Sequence, residues 1–356
     1  MQFKFGTYQT TAHIMPSLPD IDEIENDFGV DGGKLLLICD TNTSRFAAKI
    51  RGDRDIAVCT LEPGESYKNW QSVEAILKAA GDARIGRDGV FVGIGGGVIT
   101  DISAFAASIY MRGCSVALVS TTLLGMLDAS VGGKTGFDLF GIKNMAGTFY
   151  PAAHVYIPLD SLATLPKAEW KSGMAELIKT AILEGDDFLA LLEGLKGHFS
   201  DAAIELCISR VVKFKGRIVE EDPLEKGGKR MLLNLGHTFG HALETAVGLG
   251  KISHGEAVAW GIVRCCELGL KLGICPVERA KRITSLLTAL DYETRAPHPL
   301  ADSDVLIKAL GSDKKKRGGN LIFIVPDERT ARLVTVDSPE LMNTISQIIK
   351  GELSSS

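Results

Sequence analysis

What the sequence lacks narrows the field before any motif is considered. No apolar run approaches the ~20 residues of a membrane-spanning helix. Residues 1–9 show no basic start followed by an apolar stretch, so no secretory leader is expected. Positive charge is in short supply: 39 Lys and Arg against 44 Asp and Glu give a net charge of −5. A nucleic-acid-binding surface is therefore not expected, and any anionic ligand must be held by local basic groups. The seven cysteines form no CxxC pair, and adjacent Cys265 and Cys266 suit neither a zinc clip nor a disulfide. Reduced, mostly buried thiols of a cytoplasmic protein are expected. The GxGxxG dinucleotide fingerprint is also missing.

What is present is ordinary in bulk and specific in detail. Hydrophobic residues make up 45% and charged residues 23% of 356, a globular composition long enough for two domains. Apolar runs at 34–40, 56–61, 89–94 and 115–120 read as strands. Trp70, Val73, Ile76 and Leu77 form a helical stripe between them, and 98–110 is a second helical stretch. This alternation predicts an α/β layer with a largely parallel sheet. After residue 151 the pattern turns helical. Trp170, Met174, Leu177, Ile178, Ala181 and Ile182 make one stripe, and 257–272 another helix. A late pair of runs, 320–325 and 331–336, predicts two paired strands. The expected organisation is an α/β domain over 1–160 and a mainly α-helical domain over 161–356, with a ligand cleft between them.

Gly95, Gly96 and Gly97 separate the strand at 89–94 from the following helix. Glycine permits positive φ and close approach of backbone N–H groups to a ligand, and a helix N-terminus behind such a turn suits a pyrophosphate. A plain tight turn explains three glycines equally well. Asp40 ends a strand where a carboxylate could grip a ribose, and Thr121 and Thr122 end another at the ligand-binding edge of such sheets. Asp101, in the first helical turn, also suits the helix dipole.

Three of the seven histidines fall within 18 residues. His237 and His241 lie one helical turn apart in GHTFGH, His254 follows in SHGEAV, and Glu176 sits in GMAELIK. Two imidazoles and a carboxylate leave a position open on zinc, which is a catalytic layout. Thr238 stands where a zinc protease of HExxH type has its glutamate, so that reading lacks its base. Lys134, Lys143, Lys179, Lys215, Arg230 and the run Lys314–Lys316 are each explicable as solvated surface groups. Beside a metal they suggest a phosphate- or carboxylate-bearing substrate.

Taken together, GIGGGVITD (93–101), TTLLGMLDASVGGKTG (121–136), KNMAGTFY (143–150), GMAELIK (173–179), LLNLGHTFGHALE (232–244) and HGEAVAWG (254–261) resemble the 3-dehydroquinate synthases, a group of sugar phosphate cyclases. The resemblance implies an NAD-binding first domain and a metal- and substrate-binding second one. It implies that Glu176, His237 and His254 hold a catalytic divalent metal, zinc or cobalt, with His241 facing the substrate. Asp128, Lys134, Asn144, Lys179, Lys215, Arg230, Asn234 and Lys314 or Lys315 would face substrate, and Arg112 would reach the phosphate site of a neighbouring subunit. Asp40, Asn42, Glu65, Lys68, Gly95, Gly96, Gly97, Asp101, Thr121, Thr122, Lys143 and Thr164 would touch the nucleotide, with Asp128 and Lys134 near both. DPLEKGGKR (222–230) is one residue longer than the common spacing, which leaves the role of Glu225 open.

The implied reaction converts 3-deoxy-D-arabino-heptulosonate 7-phosphate to 3-dehydroquinate and phosphate, in the shikimate route to chorismate and aromatic amino acids. It runs by transient oxidation, phosphate elimination, re-reduction and aldol closure, in a cytoplasmic homodimer that binds neither nucleic acid nor membrane. Another sugar phosphate cyclase, of 2-deoxy-scyllo-inosose or valiolone type, or a metal-dependent polyol dehydrogenase, shares much of the pattern. A catalytically dead nucleotide-binding scaffold fits an intact metal trio poorly.

Overall fold

Strand-like runs and helical stripes alternate through the first part of the chain in the computed structural model. The order is β1 (Gln2–Phe5), β2 (Tyr8–Met15), α1 (Ile21–Phe28), β3 (Leu35–Asp40), α2 (Ser44–Arg51), β4 (Ala57–Leu61), α3 (Trp70–Asp82), β5 (Val90–Gly95), α4 (Gly97–Ile109), β6 (Ser115–Ser120), β7 (Lys134–Leu139), β8 (Ile142–Phe149) and β9 (His154–Pro158). Then come α5 (Lys167–Glu184), α6 (Asp186–Leu195), α7 (Asp201–Glu221), α8 (His237–Val247), α9 (His254–Lys271), α10 (Val277–Ala289), α11 (Ser303–Lys316), β10 (Leu321–Pro326), β11 (Ala331–Val336) and α12 (Pro339–Lys350). The structure describes residues 1–351 apart from 196, 249, 295–301 and 317–320, and gives the backbone alone at 32 and 312–316. Two compact units emerge: Met1–Gly173 with Ala203–Leu224, and Met174–Ala202 with Glu225–Ser356. The division falls inside α5, and α7 belongs with the first unit.

The first unit is built on a seven-stranded sheet of order β1-β2-β9-β6-β5-β3-β4. All neighbours are parallel except the antiparallel hairpin β1–β2. Central parallel strands are covered on both faces, which is why β3, β5 and β6 read as unbroken apolar runs. Ile21 and Ile24 of α1 and Ala47 and Ile50 of α2 pack with Leu35, Leu37, Cys39, Val90 and Val92 in one core. The C-terminal ends of β3, β5 and β6 present Asp40, Gly95 and then Thr121, the edge where open α/β sheets hold ligands. The backbone N–H of Lys4 in β1 donates to Glu220 of α7 at 2.7 Å. A separate antiparallel hairpin, β7–β8, packs near α4.

In the second unit, α8 and α9 lie side by side over the small antiparallel pair β10–β11. Phe239 packs on Trp260 and Phe323 with ring centroids 6.2 and 4.5 Å away. Thr238 Oγ1 donates to Ile322 O at 3.0 Å, fixing α8 to β10. All seven cysteines are buried free thiols. Among the described residues no helix is long and apolar enough to cross a membrane.

Candidate functional site

Glu176 projects from α5 and is buried to 1% exposure. His237 opens α8 behind Gly236, whose φ of 80° lies in the left-handed region. His254 opens α9, fixed by a capping box: Ser253 Oγ accepts from Glu256 N at 3.2 Å, and Glu256 Oε2 accepts from Ser253 N at 3.2 Å. The backbones of α8 and α9 touch. A Cβ on Gly261 would lie 2.1 Å from Gly236 O, so only glycine allows this approach. The close crossing brings the rings of His237 and His254 to 5.2 Å.

Glu176 Oε1 stands 3.5 Å from His237 Nε2 and 3.4 Å from His254 Nε2, while Oε2 pairs with Lys179 Nζ. One carboxylate oxygen thus serves both imidazoles and the other a buried ammonium. His237 Nδ1 lies 3.1 Å from Leu235 O. A ring N–H donating there leaves the Nε2 lone pair facing Glu176. His254 Nδ1 faces Glu244 Oε1 at 3.6 Å. A carboxylate behind an imidazole is the usual backing for a metal-bound histidine.

Burial pushes His237 down to about 3, against the pull of Glu176. Burial also opposes charge on His254, but Glu176 and Glu244 outweigh it and push it up to about 10. Two imidazole nitrogens and one carboxylate oxygen within 4.8 Å of one another form the donor set of an open, catalytic zinc-type site. His241 is exposed, its ring 5.3 Å from that of His237 and 6.3 Å from that of His254. Glu244 was not anticipated. Its signal was available, because it follows His237 by two helical turns and so shares its face.

Elsewhere in this unit, Lys179 and Arg230 are buried to 2% and 3% exposure. Asn234 Nδ2 donates to Glu225 Oε1 at 3.1 Å, which gives a partner to the glutamate in the lengthened 222–230 stretch. Lys314 and Lys315 end α11, and their side chains lie outside the described residues.

In the first unit, Lys215 on α7 donates to the backbone O of Asp128 and, at 2.7 Å, to its Oδ1. Asp128 sits in a π-helical turn, Gly125–Ala129, a distortion common at functional sites. Lys68 Nζ donates to Asp101 Oδ2 and Asn144 Oδ1, both at 2.6 Å. Burial raises the Asp101 pKa while Lys68 opposes the rise; burial works against the Lys68 charge, but Asp101 prevails and its pKa is raised too. Asn144 is held at φ 52°, with its N–H donating to Asp138 Oδ1 at 2.7 Å. The residues expected at the nucleotide (Lys68, Asp101) and at the substrate (Asn144) therefore form one hydrogen-bonded group. Lys143 Nζ lies 4.0 Å from Glu65 Oε1.

The glycine turn differs from expectation in one respect. Gly96, the N-cap of α4, has φ −84° and ψ −168°, which is extended backbone, and none of Gly95–Gly97 has positive φ. Space explains the glycine instead: a Cβ on Gly96 would meet Thr122 Cγ2 at 2.9 Å. No side chain caps α4, so its first N–H groups stay available to an anion.

Asp40 Oδ1 accepts from Thr43 N at 2.8 Å and Thr43 Oγ1 at 2.9 Å, with Asn42 exposed beside it. Thr121 is buried, and Thr122 Oγ1 accepts from Gly125 N at 3.0 Å. Thr164 Oγ1 accepts from Arg45 Nη2 at 2.8 Å. Lys134 is exposed at the start of β7. Arg112 is exposed at φ 70°, next to Met111 at φ 46°.

Residues 58–172 match the 3-dehydroquinate synthase N-terminal family, and residues 173–316 match its C-terminal counterpart. The chain belongs to the 3-dehydroquinate synthase family. The 3-dehydroquinate synthase of Nostoc punctiforme is 37% identical over 302 residues, covering 83% of this chain and 82% of the relative. That of Xylella fastidiosa is 35% identical over 369 residues, covering 96% and 93%. A 2-epi-5-epi-valiolone synthase from Streptomyces hygroscopicus subsp. jinggangensis, solved with NAD+ and Zn2+ bound, superposes with a TM-score of 0.84 at 25% identity over 98% of both chains. The family's own boundary, 172/173, falls one residue before the division between the two compact units.

Proposed function

We propose that the chain is a phosphorus–oxygen lyase that converts 3-deoxy-D-arabino-heptulosonate 7-phosphate to 3-dehydroquinate and phosphate, using NAD and one divalent cation, zinc or cobalt. The observation that carries this reading is the trio Glu176, His237 and His254, with donor separations of 3.4 and 3.5 Å from the shared carboxylate oxygen. Family membership and the names of the relatives support the substrate. The residues also fit the implied groups: the trio has the donor chemistry of a zinc or cobalt site, and the uncapped N-terminus of α4 behind Gly96 suits a pyrophosphate.

When bound, the nicotinamide supplies a hydride acceptor that is reloaded within the cycle, and the cation supplies Lewis acidity at the alcohol to be oxidised. The chain's own residues do the rest. Glu176, His237 and His254 hold the cation, with Lys179 balancing the second oxygen of Glu176. Lys134, Asn144, Lys215, Arg230, Asn234 and Lys314 bind the carboxylate, hydroxyls and phosphate of the substrate, fixing it for reaction. Asp128 positions the Lys215 ammonium. His241 carries a proton to or from the substrate, because an imidazole titrates near neutrality. Asp40, Asn42, Glu65, Lys68, Asp101, Thr121, Thr122, Lys143 and Thr164 bind the nucleotide.

The same reading makes the protein a cytoplasmic homodimer. Seven buried thiols suit a reducing compartment. The outward Arg112, on a left-handed backbone, suits a residue that serves the partner's phosphate site. Phosphate release decides the reaction. Heptulosonate 7-phosphate is expected to release phosphate with no net NADH, chelator is expected to stop it, and glucose 6-phosphate and sedoheptulose 7-phosphate are expected to be inert. Release from either of those instead would assign the chain to another cyclase activity, and accumulation of NADH would make it a dehydrogenase.

A further inference from the structure

Two histidines outside the Glu176 centre, His13 and His154, meet on the sheet of the first unit. β2 and β9 run parallel with His13 opposite Tyr156. Residues two apart on a strand share a face, so His154 lies diagonal to His13 on that same face. Their rings stack with centroids 5.3 Å apart and planes 19° from parallel. Asp27, near the C-terminal end of α1, completes the group. Its Oδ2 stands 3.6 Å from His13 Nε2 and 3.4 Å from His154 Nδ1, and the two nitrogens are 3.0 Å apart.

These three distances are the edges of a triangle of donor atoms. A tetrahedral zinc ion with ligand bonds of about 2.0–2.2 Å needs edges of about 3.3–3.6 Å between its donors. Two of its edges, 3.4 and 3.6 Å, have this size, as do the 3.4 and 3.5 Å edges at Glu176, and the third, 3.0 Å between the two nitrogens, is shorter and opens to that size by a small turn of either ring. We propose that His13, Asp27 and His154 form a second divalent-cation site, selective for zinc or a similar borderline transition ion.

The surroundings match such a site. Tyr156 donates its hydroxyl to Asp27 Oδ2 at 2.6 Å, which orients the carboxylate as outer-sphere partners do at metal centres. Phe28 packs on the His154 ring at 4.8 Å and walls one side. The side chains of His13 and Asp27 are 30% and 31% exposed, which admits a water as fourth ligand. The three donors come from α1, β2 and β9, so a bound ion ties the end of the helix to two strands. Its binding free energy adds to the stability of the first unit. This site shares no residue with the Glu176 centre, and its occupancy does not depend on the reaction assigned to that centre.

Zinc counting tests the proposal. Full-length protein is stripped with a chelator and titrated with Zn2+ against a chromophoric zinc indicator. The unmodified chain is expected to take two equivalents. His13→Gln and Asp27→Asn are each expected to take one, and both retain phosphate release at saturating zinc. Asp27→Asn keeps an acceptor for Tyr156, so it preserves the fold even if His13→Gln does not. His254→Ala is also expected to take one equivalent, but with phosphate release lost. The second equivalent is expected to raise the Tm of the unmodified chain and leave that of Asp27→Asn unchanged.

A single equivalent that His254→Ala removes would overturn the proposal: the three side chains would then be only a His–His hydrogen bond beside Asp27 and Tyr156. A second equivalent that survives both His13→Gln and Asp27→Asn would overturn it as well. A single equivalent that His13→Gln removes and His254→Ala does not would instead overturn the Glu176 centre and leave this one standing.

Discussion

Glu244 Oε1 stands 3.6 Å from His254 Nδ1, the ring nitrogen turned away from Glu176. The imidazole is thus held between two buried carboxylates, one of which would share the cation while the other sets the ring's tautomer and orientation. Loss of such a backing group commonly weakens metal binding by ~10–100-fold. Glu244→Gln keeps the size and removes the charge. Its zinc affinity is expected to drop by that factor, with turnover largely recovered at saturating zinc. Zinc titration and kcat at high zinc check this; a kcat loss that added zinc does not recover would make Glu244 more than a positioning residue.

The metal-free enzyme has a distinctive pH response, worked out from the two imidazoles. His254, at about 10 when folded, lies above its ordinary value of about 6.5. Its stabilisation is full below ~6.5 and is lost as pH rises through about 10. His237, at about 3, is shifted the other way. It stays neutral in the fold, so stability is lost as pH falls from ~6.5 towards 3, where only the unfolded chain takes up the proton. Stripped enzyme is therefore expected to be most stable near pH 6.5. Zinc must displace the His254 proton, so binding at pH 8 is expected to release about one proton. Calorimetry in buffers of different ionisation enthalpy measures that proton, and His254→Ala should abolish it.

The parts of this fold that sequence patterns reveal are those whose patterns are local. β3, β5 and β6 are buried on both faces, so their runs stand out without context. β8, with an exposed and mixed sequence IKNMAGTF, carries no apolar run, and four-residue β1 is too short to show a period, so neither the β7–β8 nor the β1–β2 hairpin has a local signature in the sequence. The cluster of Glu176, His237 and His254 was legible because the motifs that carry these residues are long and distinctive. The bond between Lys68 and Asn144, 76 residues apart, was not, since only the topology joins them. At Gly96 it is the neighbouring Thr122, and not freedom in φ, that requires glycine, and nothing local in the sequence shows that contact.

The contact between Gly261 and Gly236 is what lets α8 and α9 approach closely enough to bring His237 and His254 together. A methyl group at Gly261 would sit 2.1 Å from Gly236 O and push α8 from α9. Overpacking of this kind costs ~1–3 kcal/mol or more. Gly261→Ala is expected to lower the Tm by several degrees and to weaken zinc binding, because the start of α8 carries His237. Ala259→Gly, in the same helix, serves as a control that lacks the clash. Thermal unfolding with and without zinc separates the two effects. Equal zinc affinity in Gly261→Ala and the parent would show that the crossing does not position the ligands.

Lys68 and Asp101 form a nearly buried ion pair, with side chains 6% and 19% exposed. Removing one partner of a buried pair costs ~3–5 kcal/mol, because the other charge is left without compensation. The partial exposure of Asp101 places Lys68→Met towards the lower end of that range. Replacing both partners removes the stranded charge, so Lys68→Met with Asp101→Asn is expected to be more stable than Lys68→Met alone. A coupling of ~0.5–3 kcal/mol between the two positions follows from their direct contact. NAD binding should weaken in every variant, since both residues sit at the start of α4 or against it. Urea unfolding of the four proteins gives the coupling and fluorescence titration gives the NAD affinity. Strictly additive stability losses would mean that the pair contributes no interaction of its own.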